Sequence, residues 1–362
     1  MSDTKSDIMK IWRECFPADS PEWVEMYFNR EYSPECALTS VDDRGNTVSS
    51  LMLQPYTMTF HGQEAGVSYV SGAATMPRHR NQGHMTRLIQ QAILASHSRG
   101  DMLCALIPAN DMLRLYYARS GFASVFFSRM HRYTSAHIFS SHNNYIPVAA
   151  DDQAALYNAY RNLAHLRPCA IIHTPHQFGT IMIDNAMSGG AFEAVADNNS
   201  GHIAALAWAI PQNDSASVKI IDILAQDDDA RQAVLQRIRM RYPDRPLIIM
   251  DTPPDNSSVA LTQQGMARVT RAGLALEIIA RNYPNLKSTI RITDPIIADN
   301  NATFLLNGDG TVGRLPHDSP GVGQIDLDIS IEILCRLIFS PSSVGAVTGI
   351  PSVRPVMTLM LD

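Results

Sequence analysis

The stretch Gly72-Ala73-Ala74-Thr75-Met76-Pro77-Arg78-His79-Arg80-Asn81-Gln82-Gly83-His84-Met85 decides the reading of this chain. A strand-like run, 65–75, leads into it, and Pro77 ends that run. From 83 to 98, Leu88, Ala92 and Ala95 recur on one helical side. A basic turn therefore joins a strand to a helix start. Such a start carries backbone N–H groups without intrahelical acceptors and the positive end of the macrodipole. That is the chemistry of a phosphate site. Gly83 permits close backbone approach, and Arg78, Arg80 and Arg87 add charge. The same residues also suit an ordinary strand-to-helix turn.

A second segment separates the two readings: Ile107-Pro108-Ala109-Asn110-Asp111-Met112-Leu113-Arg114-Leu115-Tyr116-Tyr117-Ala118-Arg119-Ser120-Gly121-Phe122. A helix is predicted over 110–120. Asn110, Leu113 and Tyr117 fall at i, i+3 and i+7, which puts Asn110 and Tyr117 on one face. Gly121 suits the helix end, and 122–133 reads as a strand. A short apolar strand, 102–107, lies between the two segments.

Working outward, helices are predicted near 8–15 and from Pro21, where Ser20 is the N-cap. Strands are predicted at 36–41, 47–60 and 65–75, with turns at 42–46 and 61–64. The polar stretch 135–144 reads as a linker. Beyond it the element order repeats: helices at 151–164 and 175–186, strands near 191, 203 and 218, a helix at 229–241 and a strand at 247–250. Where the first part has its basic turn, this part has Gln226-Asp227-Asp228-Asp229-Ala230. Those acids cap a helix well and repel phosphate. A third part begins near Gly265, with a helix at 272–280, strands at 287–293 and 302–307, and 325–329 leading into a helix at 330–339. The apolar end, 356–361, reads as a strand carrying Asp362.

Whole-chain properties narrow the class. The 362 residues are 45% hydrophobic and 18% charged, as in ordinary globular proteins, and suggest two or three domains. A net charge of −6 gives no support for nucleic-acid binding. Cys15, Cys36, Cys104, Cys169 and Cys335 form no CxxC pair, so neither a disulfide framework nor a metal site is expected. No leader-like start and no long apolar run is present, so a cytoplasmic protein without membrane contact is expected.

Arg80-x-x-Gly83, after a strand and before a helix, resembles the pyrophosphate motif of the GNAT superfamily. Asn110 through Tyr117 to Gly121-Phe122 is similar to the later segment of that superfamily. Met85 stands where most members carry Gly or Ala; Eis-like proteins also carry a larger residue there. The chain therefore resembles the Eis-like (enhanced intracellular survival) group. That resemblance implies an α+β fold: two tandem GNAT-like mixed-sheet domains, 1–134 and 145–264, followed by a sterol-carrier-protein-like domain, 265–362. Ile292-Thr293-Asp294-Pro295, Phe304-Leu305-Leu306 and Leu327-Asp328-Ile329 carry the last part of the likeness.

The resemblance implies an N-acetyltransferase that uses acetyl-CoA as co-substrate and a primary amine, on a small molecule or a lysine side chain, as acceptor. A homo-oligomer is expected. Ala73, Ala74, Thr75, Arg78, Arg80, Asn81, Gln82, Gly83, His84 and Asn110 would contact CoA. Tyr117 would be the general acid, and the main-chain carboxylate of Asp362 the base. Trp23, Tyr27 and Phe28 would contact the acceptor, or equally be packing residues. Transfer of a longer acyl group, and a catalytically silent CoA- or lipid-binding protein, are the competing readings.

Overall fold

The computed structural model describes residues 4–140, 144–212, 214–252, 261–320 and 323–361. Helices α1 (Thr4–Cys15) and α2 (Pro21–Arg30) open the chain. Ser20 caps α2 by accepting from the Trp23 amide at 3.1 Å. The two helices join through Trp12, whose ring lies 5.0 to 6.0 Å from those of Phe16, Trp23, Tyr27 and Phe28. Strands β1 (Ala37–Val41), β2 (Thr47–Phe60) and β3 (Gln63–Thr75) follow, paired antiparallel. Between Ser50 and Met52 the β2–β3 register slips, leaving an extra residue on β3. Gly72 lies in this bulge at φ 57°, and a Cβ there would meet the Trp12 ring at 1.9 Å. Only glycine allows α1 to lie so close to β3.

Helix α3 (His84–Arg99) crosses from β3 to the parallel strand β4 (Leu103–Leu106). Its Leu88, Ile89, Ala92 and Ile93 are buried with Leu51, Leu53 and Val70. Burying four such side chains is worth several kcal/mol at roughly 25 cal/mol per Å² of apolar surface. Pairing of β3 with β4 runs from Val67–Leu103 to Val70–Leu106 and stops, although β3 continues to Thr75. Helix α4 (Asp111–Ala118) then leads into β5 (Ala123–Tyr133).

The next elements are β6 (Tyr145–Pro147), α5 (Gln153–Ala164), β7 (Ile171–Ile172), α6 (Pro175–Met187), β8 (Ala191–Asp197), β9 (Ile203–Pro211), β10 (Val218–Ala225), α7 (Asp228–Arg241) and β11 (Leu247–Asp251). Strand β11 pairs with the end of β5, and the order continues through β10, β9 and β8 to β6. Small residues of β9, Ala205, Ala207 and Ala209, share a core with Ala230, Val234 and Ile238 of α7. The acidic turn behaves as its composition dictates: Asp227 accepts from the Ala230 amide at 2.7 Å and starts α7.

Strand β12 (Thr262–Val269) pairs antiparallel with β4, from Met266–Leu106 to Val269–Leu103. The sequence pattern gives no strand there, because Thr262-Gln263-Gln264-Gly265 is polar and the pairing partner is remote in sequence. After α8 (Ala272–Asn282) come β13 (Lys287–Thr293), β14 (Ala302–Asn307), β15 (Val312–Pro316) and β16 (Leu327–Ser330), then α9 (Ile331–Ile338) and α10 (Ser342–Thr348). The four strands form a second sheet, ordered β15-β14-β13-β16, with β13 and β16 parallel. The architecture is mixed α+β, with mixed sheets throughout. No helix among the described residues is long and apolar enough to cross a membrane.

The chain groups into two units. One comprises Met1–Phe126 and Gln263–Pro355, the other Phe127–Thr262 and Val356–Leu361. The end of the chain is not the strand its apolar run suggests. Val356 makes a single bridge to Ala170, and Leu359 turns at φ 58°. Of the expected linker, 141–143 lie outside the described residues, as does Asp362.

Candidate active site

In the first unit, the end of β3, the start of α3 and helix α4 enclose a cavity of about 970 Å³. Ala73, Ala74, Thr75, Arg80, Asn81, Gly83, His84, Asn110 and Tyr117 all line it. Arg78 and Gln82 lie outside that lining; the Gln82 side chain donates to the Arg78 carbonyl at 3.2 Å and closes the turn. Trp23, Tyr27 and Phe28 also lie outside it. Tyr27 and Phe28 are buried, and Tyr27 hydrogen-bonds Ser71 Oγ at 2.7 Å, next to the bulge. Half-buried Trp23 stacks on Tyr27 at 5.3 Å.

The turn has the backbone its sequence asks for. Asn81 and Gly83 both adopt left-handed conformations, φ 61° and 79°. The first intrahelical bond of α3 runs from the Arg87 amide to the Gly83 carbonyl, and no side chain caps the helix. The amides of 84–86 are therefore donors without an intrahelical acceptor, at the positive helix end. Arg80 Nε donates to the Thr75 carbonyl at 3.2 Å, which folds the turn back over β3. His84 Nδ1 lies 3.1 Å from Arg87 Nη2 and 2.8 Å from Ser40 Oγ. A guanidinium only donates, so Nδ1 is the acceptor and a neutral His84 carries its proton on Nε2.

The edge of β3 supplies further donors. The Met76 amide donates to Val48 on β2, so strand alternation turns the Thr75 amide away from β2. Its carbonyl faces the same way, meeting Arg80 and the Cys15 thiol. Pairing with β4 has already ended at Val70, so β3 offers a backbone edge along 71–75.

Helix α4 brings in the phenol. Asn110 is its N-cap, extended at φ −160° and accepting from the Leu113 amide at 3.0 Å, rather than a residue of its helical face. Tyr117 is buried, and that burial, with Tyr116 beside it, raises its pKa to about 12. The phenol is thus a proton donor, not a phenolate, at neutral pH. Tyr116 OH and Thr86 Oγ1, 3.1 Å apart, tie α4 to the start of α3. Behind α4, fully buried Arg268 donates from Nε to the Ser120 carbonyl at 2.8 Å and pairs with Asp294 at 2.5 Å.

Cys15, Phe16, Tyr116 and Arg119 also line the cavity, and the sequence reading missed them as site residues. Cys15 and Phe16 reach it because Gly72 lets α1 approach β3. Burial raises the Cys15 pKa, against Arg80, so its thiol stays protonated. Among the described residues no cluster of three or more His, Cys, Asp or Glu side chains suits a metal ion.

Residues 2–125 match the family model described as an acetyltransferase (GNAT) domain. No curated protein matches the chain. Among solved structures, it is similar to a probable N-acyltransferase of Enterococcus faecalis V583, at 13% identity and TM-score 0.76, covering 98% of this chain and 96% of that one. It is similar to a GCN5-related N-acetyltransferase from Anabaena variabilis, at 16% identity and TM-score 0.76, covering 98% and 92%. It is also similar to Eis1 from Mycobacterium abscessus, at 12% identity and TM-score 0.71, covering 96% and 91%. At these identities the likeness is one of fold. Residues 2–125 are thus a GNAT acetyltransferase domain, within a fold that these solved structures share along nearly the whole chain.

Proposed function

We propose that this protein is an acetyl-CoA-dependent N-acetyltransferase that acts on a primary amine, of a small molecule or a lysine side chain, by direct attack on the thioester. One observation carries the reading: a single cavity joins the uncapped start of α3, the free edge of β3 and a protonated, buried Tyr117.

The pyrophosphate of CoA is held on the amides of 84–86 with Arg80, while Arg78, Asn81 and Gln82 shape the turn. The pantetheine arm lies along 71–75 of β3, and Asn110 fixes the start of α4. The amine nitrogen bonds to the acetyl carbon as the C–S bond breaks. Charge on the carbonyl oxygen is met by the Thr75 amide. Asp362 takes one proton from the substrate ammonium so that the neutral amine attacks, Tyr117 gives its proton to the departing thiolate, and the second proton of the nitrogen passes to the resulting Tyr117 phenolate. Of the acceptor contacts expected from sequence, half-buried Trp23 is the one with surface to offer, with Tyr27 and Phe28 packed behind it.

In the same reading the chain is Eis-like, with parts at 1–134, 145–264 and 265–362, and the last part is sterol-carrier-like. The mixed sheet of β13–β16 and the fold likeness to Eis1 support this. A homo-oligomeric, cytoplasmic enzyme belongs to it too. The test is calorimetric titration with CoA. One CoA per chain, weakened by Arg80→Ala, is expected; two per chain, or binding indifferent to Arg80, contradicts the reading.

A further inference from the structure

The second unit repeats a backbone device of the first and lines it with different chemistry. Its parallel strands β10 and β11, joined by α7, pair from Val218–Leu247 to Ile220–Ile249 and then part, although both run further. The β9–β10 register slips between Ile220 and Asp222, where that pairing ends. A cavity of about 510 Å³ lies in the opening, and all of its lining belongs to the second unit. Space of this size suits a small molecule.

The start of α7 is not what this cavity offers a ligand. Asp227 caps that start by accepting from the Ala230 amide at 2.7 Å, and it lies outside the lining. Side chains must therefore meet any charge on a ligand. The lining brings three arginines, Arg129 of β5, Arg167 after α5 and Arg231 of α7, together with His131, against two aspartates, Asp222 and Asp251. Both acids are already engaged. Arg167 grips both oxygens of Asp222, at 3.0 and 2.6 Å, and Thr358 Oγ1 donates to Asp222 Oδ2 at 2.7 Å. Arg231 Nη2 donates to both oxygens of Asp251, at 2.9 and 2.8 Å, and His131 Nε2 lies 3.8 Å from Asp251 Oδ2.

The cations are not all engaged in return. Arg129 stands directly across from Asp251 in the β5–β11 ladder, yet Asp251 pairs with Arg231. Among the described residues the guanidinium of half-buried Arg129 has neither a hydrogen bond nor an ion pair. Arg231 reaches Asp251 through Nη2 alone, which leaves its Nε and Nη1 without an acceptor among the described residues. A guanidinium carries five N–H donors in a planar fork that matches two oxygens of one carboxylate or phosphate. An oxyanion entering here gains charge-assisted hydrogen bonds from donors already facing a concave, net positive wall.

We propose that this opening is a binding site for a small oxyanion, a phosphate monoester or a carboxylate, held by Arg129 and by the remaining donors of Arg231. Asp222 and Asp251 hold Arg167 and Arg231 in place around it. The site does not depend on the acetyl-transfer reading, because no residue of the Tyr117 cavity lines it.

The test is hydrogen exchange of the full-length protein, read at β5, β10 and β11, with inorganic phosphate in one arm and succinate in the other. A probe at about ten times its Kd should slow exchange there about tenfold. Protection by phosphate alone assigns a phosphoryl ligand, and protection by succinate alone a carboxylate; either supports the site. The readout is local, so anion binding in the first unit does not enter it. Arg129→Gln should weaken binding of the probe by about tenfold or more. Its loss strands no partner among the described residues, and unchanged exchange at β8 and β9 without probe checks that the fold is kept. Arg132→Gln removes the same charge from an exposed neighbour outside the lining and should leave binding unchanged. No protection with either probe overturns the site. So does protection that survives Arg129→Gln, or equal loss in Arg132→Gln, which would mark general charge attraction instead.

Discussion

Asp294→Asn should loosen the first unit by about 3–5 kcal/mol, the range for breaking a buried ion pair on one side. Arg268 and Asp294 are both 0% exposed at their side chains and meet at 2.5 Å. Asp294 Oδ1 also accepts from the amides of Ile296 and Ile297, at 2.9 and 3.1 Å, and Oδ2 from Asn300 Nδ2 at 2.9 Å. An asparagine keeps one acceptor but turns an NH₂ group toward a donor. It also leaves the Arg268 guanidinium without its counter-charge. Burial already draws the Arg268 pKa below its ordinary value, so the uncompensated charge is the dominant cost. The assay is native-state exchange at Met266, Ala267, Arg268 and Val269 of β12, which reads this unit directly. Arg268→Met in the same background removes the stranded charge. The double variant should therefore be milder than the sum of the singles by about 2 kcal/mol or more. A single-variant cost under about 1 kcal/mol, or strict additivity, would refute the reasoning.

Tyr117→Phe should lower kcat by about 10²–10⁴-fold while CoA affinity changes little, because the ring stays packed and only the proton is lost; unchanged kcat at saturating substrate excludes Tyr117 as the acid. Because burial raises the Tyr117 pKa to about 12, its proton stays in place as pH rises through the ordinary tyrosine range near 10. Loss of activity between about pH 9 and 11 that vanishes in Tyr117→Phe would contradict this, since it would mean that Tyr117 ionises there. Arg80→Ala should raise the KM for acetyl-CoA more than it lowers kcat, through lost phosphate contact, and equal effects on both would place Arg80 in the chemistry instead.

Local rules made the central stretch legible. A left-handed Gly83 before α3 and an Asx cap at Asn110 are features that the residues themselves enforce, and both lie in the cavity wall. The i, i+7 spacing places Asn110 on the helical face, whereas it is the N-cap, because spacing says nothing about whether the first residue is helical or a cap. The bulge at Gly72 has no local signature, since its cause is Trp12, far away in sequence. Strand β12 failed for the same reason: its partner is β4, and its Arg268 belongs to an ion pair no local pattern reveals. The chain end reads as a strand because 356–361 is an apolar run; among the described residues it makes one bridge, Val356 to Ala170, and Leu359 turns at φ 58°, a conformation that composition does not announce.

The most direct test of acetyl transfer by the Tyr117 cavity is product analysis. The protein is incubated with acetyl-CoA and a panel of polyamines, aminoglycosides and lysine peptides, with propionyl- and longer acyl-CoA in parallel, and products are read by intact mass alongside thiol release. The account predicts an amine that gains one acetyl group for each thiol released, in the wild type and far more slowly in Tyr117→Phe. Thiol release with no acylated amine, or equal product from wild type and Tyr117→Phe, would contradict it.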